Sequence, residues 1–238
     1  MTKNFNLLSV SADAKTRKGE KYGYLTGILY LAPSDQSGVI NVCPHASAGC
    51  RAACLFSAGR GSFPNVIAAR TARTVMFKND REGFLTKIRA DIRMLAGIAG
   101  ARDLIPAVRL NGTSDISFVS MGVMEEFPTI QFYDYTKDKA RFRRYLNGEL
   151  PANYHLTFSR SEENSEVVKH FAAIGGNVAV VFAGKTLPEN YLGRRVINGD
   201  ESDLRFLDGE GVIVGLTAKG KAKKENSGFV VDMAKELA

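Results

Sequence analysis

Residues 22–31 read YGYLTGILYL and run straight into Ala32-Pro33-Ser34-Asp35. Aromatic and β-branched residues fill this stretch and turn-forming residues stop it, so it reads as a buried strand closed by a turn. Six more short apolar runs follow at recurring intervals, at residues 104–110, 129–133, 155–158, 178–182, 195–197 and 212–216. Helical patterns lie between them. Ser62 is the expected N-cap of a helix opening at Pro64, and Asp80 that of a second helix, whose Phe84, Ile88, Ile92 and Leu95 share one apolar face before Gly97. Residues 162–174 carry Val167, Val168, Phe171 and Ile174 on one face. Alternating strands and helices imply crossover connections and mostly parallel strands. About seven strands in a chain of 238 residues suggest an α/β fold in the form of a single small or incomplete TIM-like (β/α) barrel.

The composition fits that reading. Apolar residues make up 45% and charged residues 24%, and no low-complexity linker divides the chain, so residues 1–238 read as a single catalytic domain. No run approaches the roughly 18 apolar residues of a membrane helix. The first residues, Met1-Thr-Lys-Asn-Phe-Asn, lack the basic-then-apolar order of a secretion signal, so a cytoplasmic protein with no membrane partner is expected. The net charge of +7 favours a polyanionic partner. No GxGxxG or GxxxxGK[ST] follows the first strand, which removes the main support for a dinucleotide or P-loop site.

The three cysteines, Cys43, Cys50 and Cys54, fall within twelve residues of a chain that otherwise has none. Such bunching in a reducing compartment points to a metal loop, here residues 41–61, more than to a disulfide framework. Cys50 and Cys54 are one helical turn apart, and Pro44 and Gly49 let the loop fold back toward them. Zinc would take the three thiolates with His45 as fourth ligand; a [4Fe-4S] cluster would use the same thiolates and leave one iron open.

A second group of residues ends the strands, where barrel enzymes keep their active sites. Asn111, Ser114 and Asp115 close one strand; Tyr133, Asp134 and Lys137 close the next. Ser159, Arg160 and Asn164 follow a third. Asp115 and Asp134 on neighbouring strand ends would face one pocket, one ionised as a nucleophile and the other acting as acid and base. Each alone reads as an ordinary turn aspartate; the pairing favours function. Arg70, Arg73, Arg141 and Arg143 are candidate phosphate contacts, as are Lys221 and Lys223 in the basic segment 219–224.

With CPHASAGCRAACL, VRLNGTSD, FYDYTK, NYHLTFSRSEEN, NVAVVF, INGDESDLRF and GLTAKGKAKK in order, residues 22–231 resemble a group of small phage proteins. Two enzyme families compete for that group. Similarity to the phage DNA-guanine transglycosylases, relatives of the tRNA-guanine transglycosylases, implies exchange of guanine in DNA for a 7-deazaguanine such as preQ0, which protects phage DNA from restriction in the host cytoplasm. It implies Asp134 as nucleophile at the deoxyribose C1′, Asp115 as acid and base, and a zinc site on Cys43, Cys50, Cys54 and His45. The spacing here is C-x6-C-x3-C, against C-x-C-x2-C in that family. The radical SAM superfamily also places its cluster loop after the first strand, and resemblance to it implies a [4Fe-4S] cluster with S-adenosylmethionine. A non-catalytic, zinc-stabilised DNA-binding module is the third reading, which needs the basic surface but not the paired acids.

Overall fold

The computed structural model describes residues 6–10, 18–54, 56 and 59–236. Residues 1–5 of the amino-terminal sequence and Leu55, Ser57 and Ala58 of the cysteine loop lie outside the described residues. The elements, in chain order, are β1 (Leu8–Val10), β2 (Tyr24–Leu29), α1 (Ala48–Ala52), α2 (Pro64–Asn79), α3 (Arg81–Gly100), β3 (Ile105–Arg109), β4 (Gln131–Thr136) and α4 (Lys139–Leu146). There follow β5 (Tyr154–Ser159), α5 (Ser165–Ala173), β6 (Val178–Phe182), β7 (Asn190–Tyr191), β8 (Arg194–Asn198), β9 (Ile213–Thr217) and α6 (Met233–Glu236).

Nine strands form a mostly parallel sheet in the order β1-β2-β3-β4-β5-β6-β9-β8-β7. The order begins at β1 and ends at β7, each with one neighbour, so the sheet has two edges and is not closed into the barrel that strand spacing suggests. Both edge strands pair antiparallel. They are only three and two residues long, too short to show a period in the sequence.

The chain forms two compact units, one of residues 1–44, 67–134 and 150–155 and the other of residues 45–66, 135–149 and 156–238. In the first, β2 runs parallel to β3 with Tyr24 opposite Ile105, and β3 runs parallel to β4 with Ala107 opposite Gln131. Helix α3 covers β2. Its Phe84, Ile88, Ile92 and Leu95 are fully buried, as their spacing predicts, and Asp80 caps it by accepting the N–H of Gly83 at 2.9 Å. The approach is close: a Cβ at Gly27 of β2 would lie 2.9 Å from Leu95 Cδ2 and 3.1 Å from Leu8 Cδ1. Buried Asp91, also on α3, accepts the N–H groups of Leu7 at 2.5 Å and Leu8 at 3.1 Å and so ties β1 to the helix. The helix ends at Gly100 instead of stopping before Gly97, since one glycine in a helix costs only about 1 kcal/mol.

In the second unit, β6 lies between β5 and β9, with Phe158 opposite Val178 and Val178 opposite Ile213. Phe142 of α4, Phe158 of β5 and Phe171 of α5 form its aromatic core, with ring centroids 4.9 to 5.2 Å apart. Two expectations change. Ile174 is 55% exposed because α5 ends at Ala173 and the chain turns away at Gly175, whose φ is 91°. Ser62 does not cap α2: its hydroxyl donates to Gly59 O at 2.8 Å, and the helix opens on Pro64, whose fixed φ and missing N–H suit a first helical position. No helix among the described residues is long and apolar enough to cross a membrane.

Candidate functional site

The first unit gathers polar groups where β3 and β4 end. Asp134 on β4 is 1% exposed. Its Oδ1 accepts the backbone N–H of Asn111 at 2.7 Å, and its Oδ2 accepts Asn111 Nδ2 at 3.0 Å and the Tyr154 hydroxyl at 3.2 Å. Burying a carboxylate is costly unless donors replace its water, and three do so here. Asn111 passes the order outward. Its Oδ1 accepts Ser114 Oγ and Ile116 N, both at 2.8 Å, and its Nδ2 donates to Ile116 O at 2.9 Å.

The loop that Asn111 shapes also leans on β2. A Cβ at Gly112 would lie 2.6 Å from Ile28 Cγ2 and 2.7 Å from Leu29 O, so only glycine fits there. Thr113 Oγ1 donates to Leu31 O at 2.6 Å, and Asp115 N donates to Val42 O at 2.8 Å. Asp115 is half-buried, which makes it the accessible one of the two expected acids. Tyr154 was not singled out by its sequence; it stands at the head of β5, and only the strand pairing brings it to Asp134.

The cysteine loop is held from both ends. Cys43 Sγ accepts Ser34 N at 3.2 Å and donates to Thr113 O at 3.6 Å. In the second unit, Ser47 caps α1 by accepting Cys50 N at 3.2 Å and donates to Glu162 Oε2 at 2.8 Å, while Gly49 N donates to Glu162 Oε1 at 2.7 Å. Glu162 therefore caps the helix that bears Cys50, and a Cβ at Gly49 would lie 2.8 Å from both carboxylate oxygens. Cys50 packs against Ala53, Ala218, Ala222 and Phe229. His45 Nε2 lies 3.6 Å from Asp138 Oδ2. No group of three or more His, Cys, Asp or Glu side chains able to hold a metal is found among the described residues, so the metal reading rests on the sequence spacing.

Other strand-end residues join into a second polar chain. Lys137 Nζ donates to Ser159 Oγ at 2.9 Å. Asn164 Nδ2 donates to Ser159 O at 3.0 Å, and its Oδ1 accepts Ser161 N at 2.7 Å. Arg160, largely buried, donates to Gly228 O at 2.7 Å and Phe229 O at 3.1 Å. Tyr133 is fully buried.

The arginines expected at phosphates are mostly turned to internal use. Arg70 is buried with its guanidinium 5.3 Å from the Tyr30 ring centroid. Arg73 donates to Asn6 O at 3.1 Å, and burial, with neighbouring Arg70, lowers its pKa. Arg141 is buried and donates to Thr136 Oγ1 at 2.7 Å. Arg143, Lys221 and Lys223 are exposed.

An open, mostly parallel α/β sheet with polar side chains knitted together at its strand ends is a scaffold on which ligands meet loops beyond the strands. The chain belongs to the Gene product 88 (GP88) family, a phage gene-product family whose model matches residues 6–233. No curated protein and no solved structure matches it significantly.

Proposed function

We propose that this phage protein modifies DNA in the host cytoplasm, exchanging guanine for a 7-deazaguanine base such as preQ0 and so shielding the DNA from restriction. The observation that carries this reading is the Asp134–Asn111–Tyr154 network beneath the loop that presents Asp115. Open α/β sheets take their ligands beyond the carboxyl ends of the strands, which is where this network and the loop it shapes lie. The geometry favours a division of labour. Asp115, the accessible acid, attacks the deoxyribose C1′; the C1′–N9 bond breaks and guanine leaves with its bonding electrons, taking a proton from water. The incoming base gives its N9 proton to water as its N9 displaces the carboxylate from C1′, which restores Asp115. The resemblance implies Asp134 as nucleophile; its burial beneath the 111–116 loop favours giving it a positioning role instead and the attack to Asp115. The target base must leave its stack to reach either acid.

In the same proposal Cys43, Cys50, Cys54 and His45 hold structural zinc, with a [4Fe-4S] cluster and S-adenosylmethionine as the radical-enzyme alternative. Metal analysis and an absorbance spectrum of anaerobically purified protein separate the two: one zinc without visible absorbance, or about four irons with a brown colour. The burial of Asp134 favours one second reading, a DNA-binding protein without catalysis. Mass spectrometry of nucleosides tests the choice. DNA from cells making the protein, with the 7-deazaguanine precursor supplied, should carry the modified nucleoside, and Asp115→Asn should abolish it. Unmodified guanosine throughout, with the precursor present, overturns base exchange.

A further inference from the structure

Away from the strand-end acids, the second unit contains an open cavity of about 670 Å³ between the segment after β6, the 220–226 turn and the carboxyl-terminal residues 228–236. Its volume is that of a small-molecule or nucleotide site. Five cationic side chains line it, Arg160, Lys185, Lys223, Lys224 and Lys235, against three acids, Glu225, Asp232 and Glu236.

The acids are already engaged. Glu225 accepts Ser227 N at 2.6 Å and Val230 N at 3.3 Å. Asp232 accepts Ala234 N at 3.2 Å and lies 4.0 Å from Lys235. Glu236 accepts the Tyr191 hydroxyl at 3.2 Å. Of the cations, only Lys235 faces one of these acids, Asp232, among the described residues. Lys185, Lys223 and Lys224 are exposed and make no ion pair among the described residues. Arg160 donates from Nη1 to two backbone carbonyls and also bonds the Tyr191 hydroxyl, so its charge adds to the cavity without an ion pair among the described residues. With five cations against three acids the field in the cavity is positive, and three exposed ammonium groups are placed to meet an anion.

Part of the lining is apolar and shallow, from Ala183, Ala218, Ala222 and Val230. A bare phosphate needs no such surface; a planar base does, since bases bind by burying their faces while lysines hold the backbone. We propose that this cavity binds a nucleotide unit of a nucleic-acid strand, with phosphates on Lys185, Lys223 and Lys224 and the base over the alanine-lined wall. The inference goes beyond base exchange, because a strand can be held here whether or not a base is ever replaced.

Fluorescence anisotropy with a labelled single-stranded deoxythymidine 12-mer tests it on the full chain. The wild type should bind with a salt-dependent affinity. The Lys185→Ala/Lys223→Ala/Lys224→Ala variant, whose thermal unfolding should match the wild type because these side chains are exposed, should bind at least tenfold more weakly. Each single Lys→Ala change should reduce the log–log salt slope by about 0.7. Base exchange is read separately, by nucleoside mass spectrometry, so a failure of catalysis is distinguished from a failure of this site. Thymidine monophosphate competing at micromolar concentration would assign the cavity to a free nucleotide, and competition only by the oligomer assigns it to a strand. Unchanged affinity and slope in the triple variant overturn the proposal.

Discussion

Asp134 Oδ1 lies 2.7 Å from the backbone nitrogen of Asn111, twenty-three positions earlier in the chain, and the same carboxylate holds the Asn111 side chain at 3.0 Å. Backbone and side chain of one residue are thus fixed by one buried acid, and the loop carrying Ser114 and Asp115 takes its shape from that grip. Replacing Asp134 by Ala removes the acceptor of the Asn111 N–H and one acceptor each of Asn111 Nδ2, which keeps Ile116 O, and the Tyr154 hydroxyl. A loss of about 2–4 kcal/mol in stability is expected from orphaned buried donors. Tyr154→Phe removes one of the three bonds and should cost about 1 kcal/mol. Urea denaturation of the two variants checks the order; equal losses would mean that Tyr154, not Asn111, dominates the network.

Glu162 and Gly49 form the second testable contact. The carboxylate takes the N–H of Gly49 and the hydroxyl of Ser47, and its oxygens occupy the space a Cβ at Gly49 would enter. Gly49→Ala would meet Ser227 Oγ first and both Glu162 oxygens at 2.8 Å, so it should push both side chains away and uncap α1. Removing Glu162 as acceptor by Glu162→Ala should cost about 1 kcal/mol, in the range of helix caps. Because Gly49→Ala already breaks that contact, the double variant should be no less stable than Gly49→Ala alone. Additive losses in thermal unfolding would show that the two residues act independently.

These contacts mark where the sequence is legible and where it is not. The buried face of α3 follows from spacing alone, because Phe84, Ile88, Ile92 and Leu95 repeat with the helical turn and all reach the core. The strand at residues 178–182 matches β6 residue for residue. Local pattern also finds Asn111 and Asp134, each beside an apolar run. It cannot find Tyr154 or Glu162, since their partners lie twenty or more positions away and are brought near only by the tertiary fold. Charge along a sequence also does not reveal that the Arg70 guanidinium lies by the Tyr30 ring, that Arg73 reaches Asn6 O or that Arg141 reaches Thr136.

The packing of α3 on β2 gives a third prediction. Leu95→Ala opens a cavity beneath Gly27 and should destabilise by about 2–5 kcal/mol. Gly27→Ala in the wild type overpacks the same space at a cost of about 1–3 kcal/mol. The added methyl in Gly27→Ala/Leu95→Ala points toward the volume that Leu95 vacates, so the cost of Gly27→Ala should shrink in that background. A double-mutant cycle by chemical denaturation reads the coupling. Strict additivity would mean that Leu8, on the other side of Gly27 at 3.1 Å, sets the clash instead.

The last prediction concerns pH. Arg205 is 1% exposed and its Nη1 lies 3.2 Å from Asp208 Oδ2. Burial raises the Asp208 pKa from its ordinary 3.8; Arg205 opposes the rise, Asp203 adds to it, and the carboxyl is pushed up to about 6. In the window between those two values the unfolded chain has released this proton while the folded chain still holds it. The stability that Asp208 contributes is therefore fully present below its unfolded pKa and is lost as pH rises through about 6. Asp208→Asn cannot titrate, whatever its own baseline stability. The difference in melting temperature between Asp208→Asn and the wild type should therefore shift in favour of the variant as pH goes from 4 to 7, with most of the change complete near pH 6. A difference that stays flat, or that moves toward the wild type, would show that the attraction of Arg205 outweighs burial and that Asp208 is ionised across the whole range.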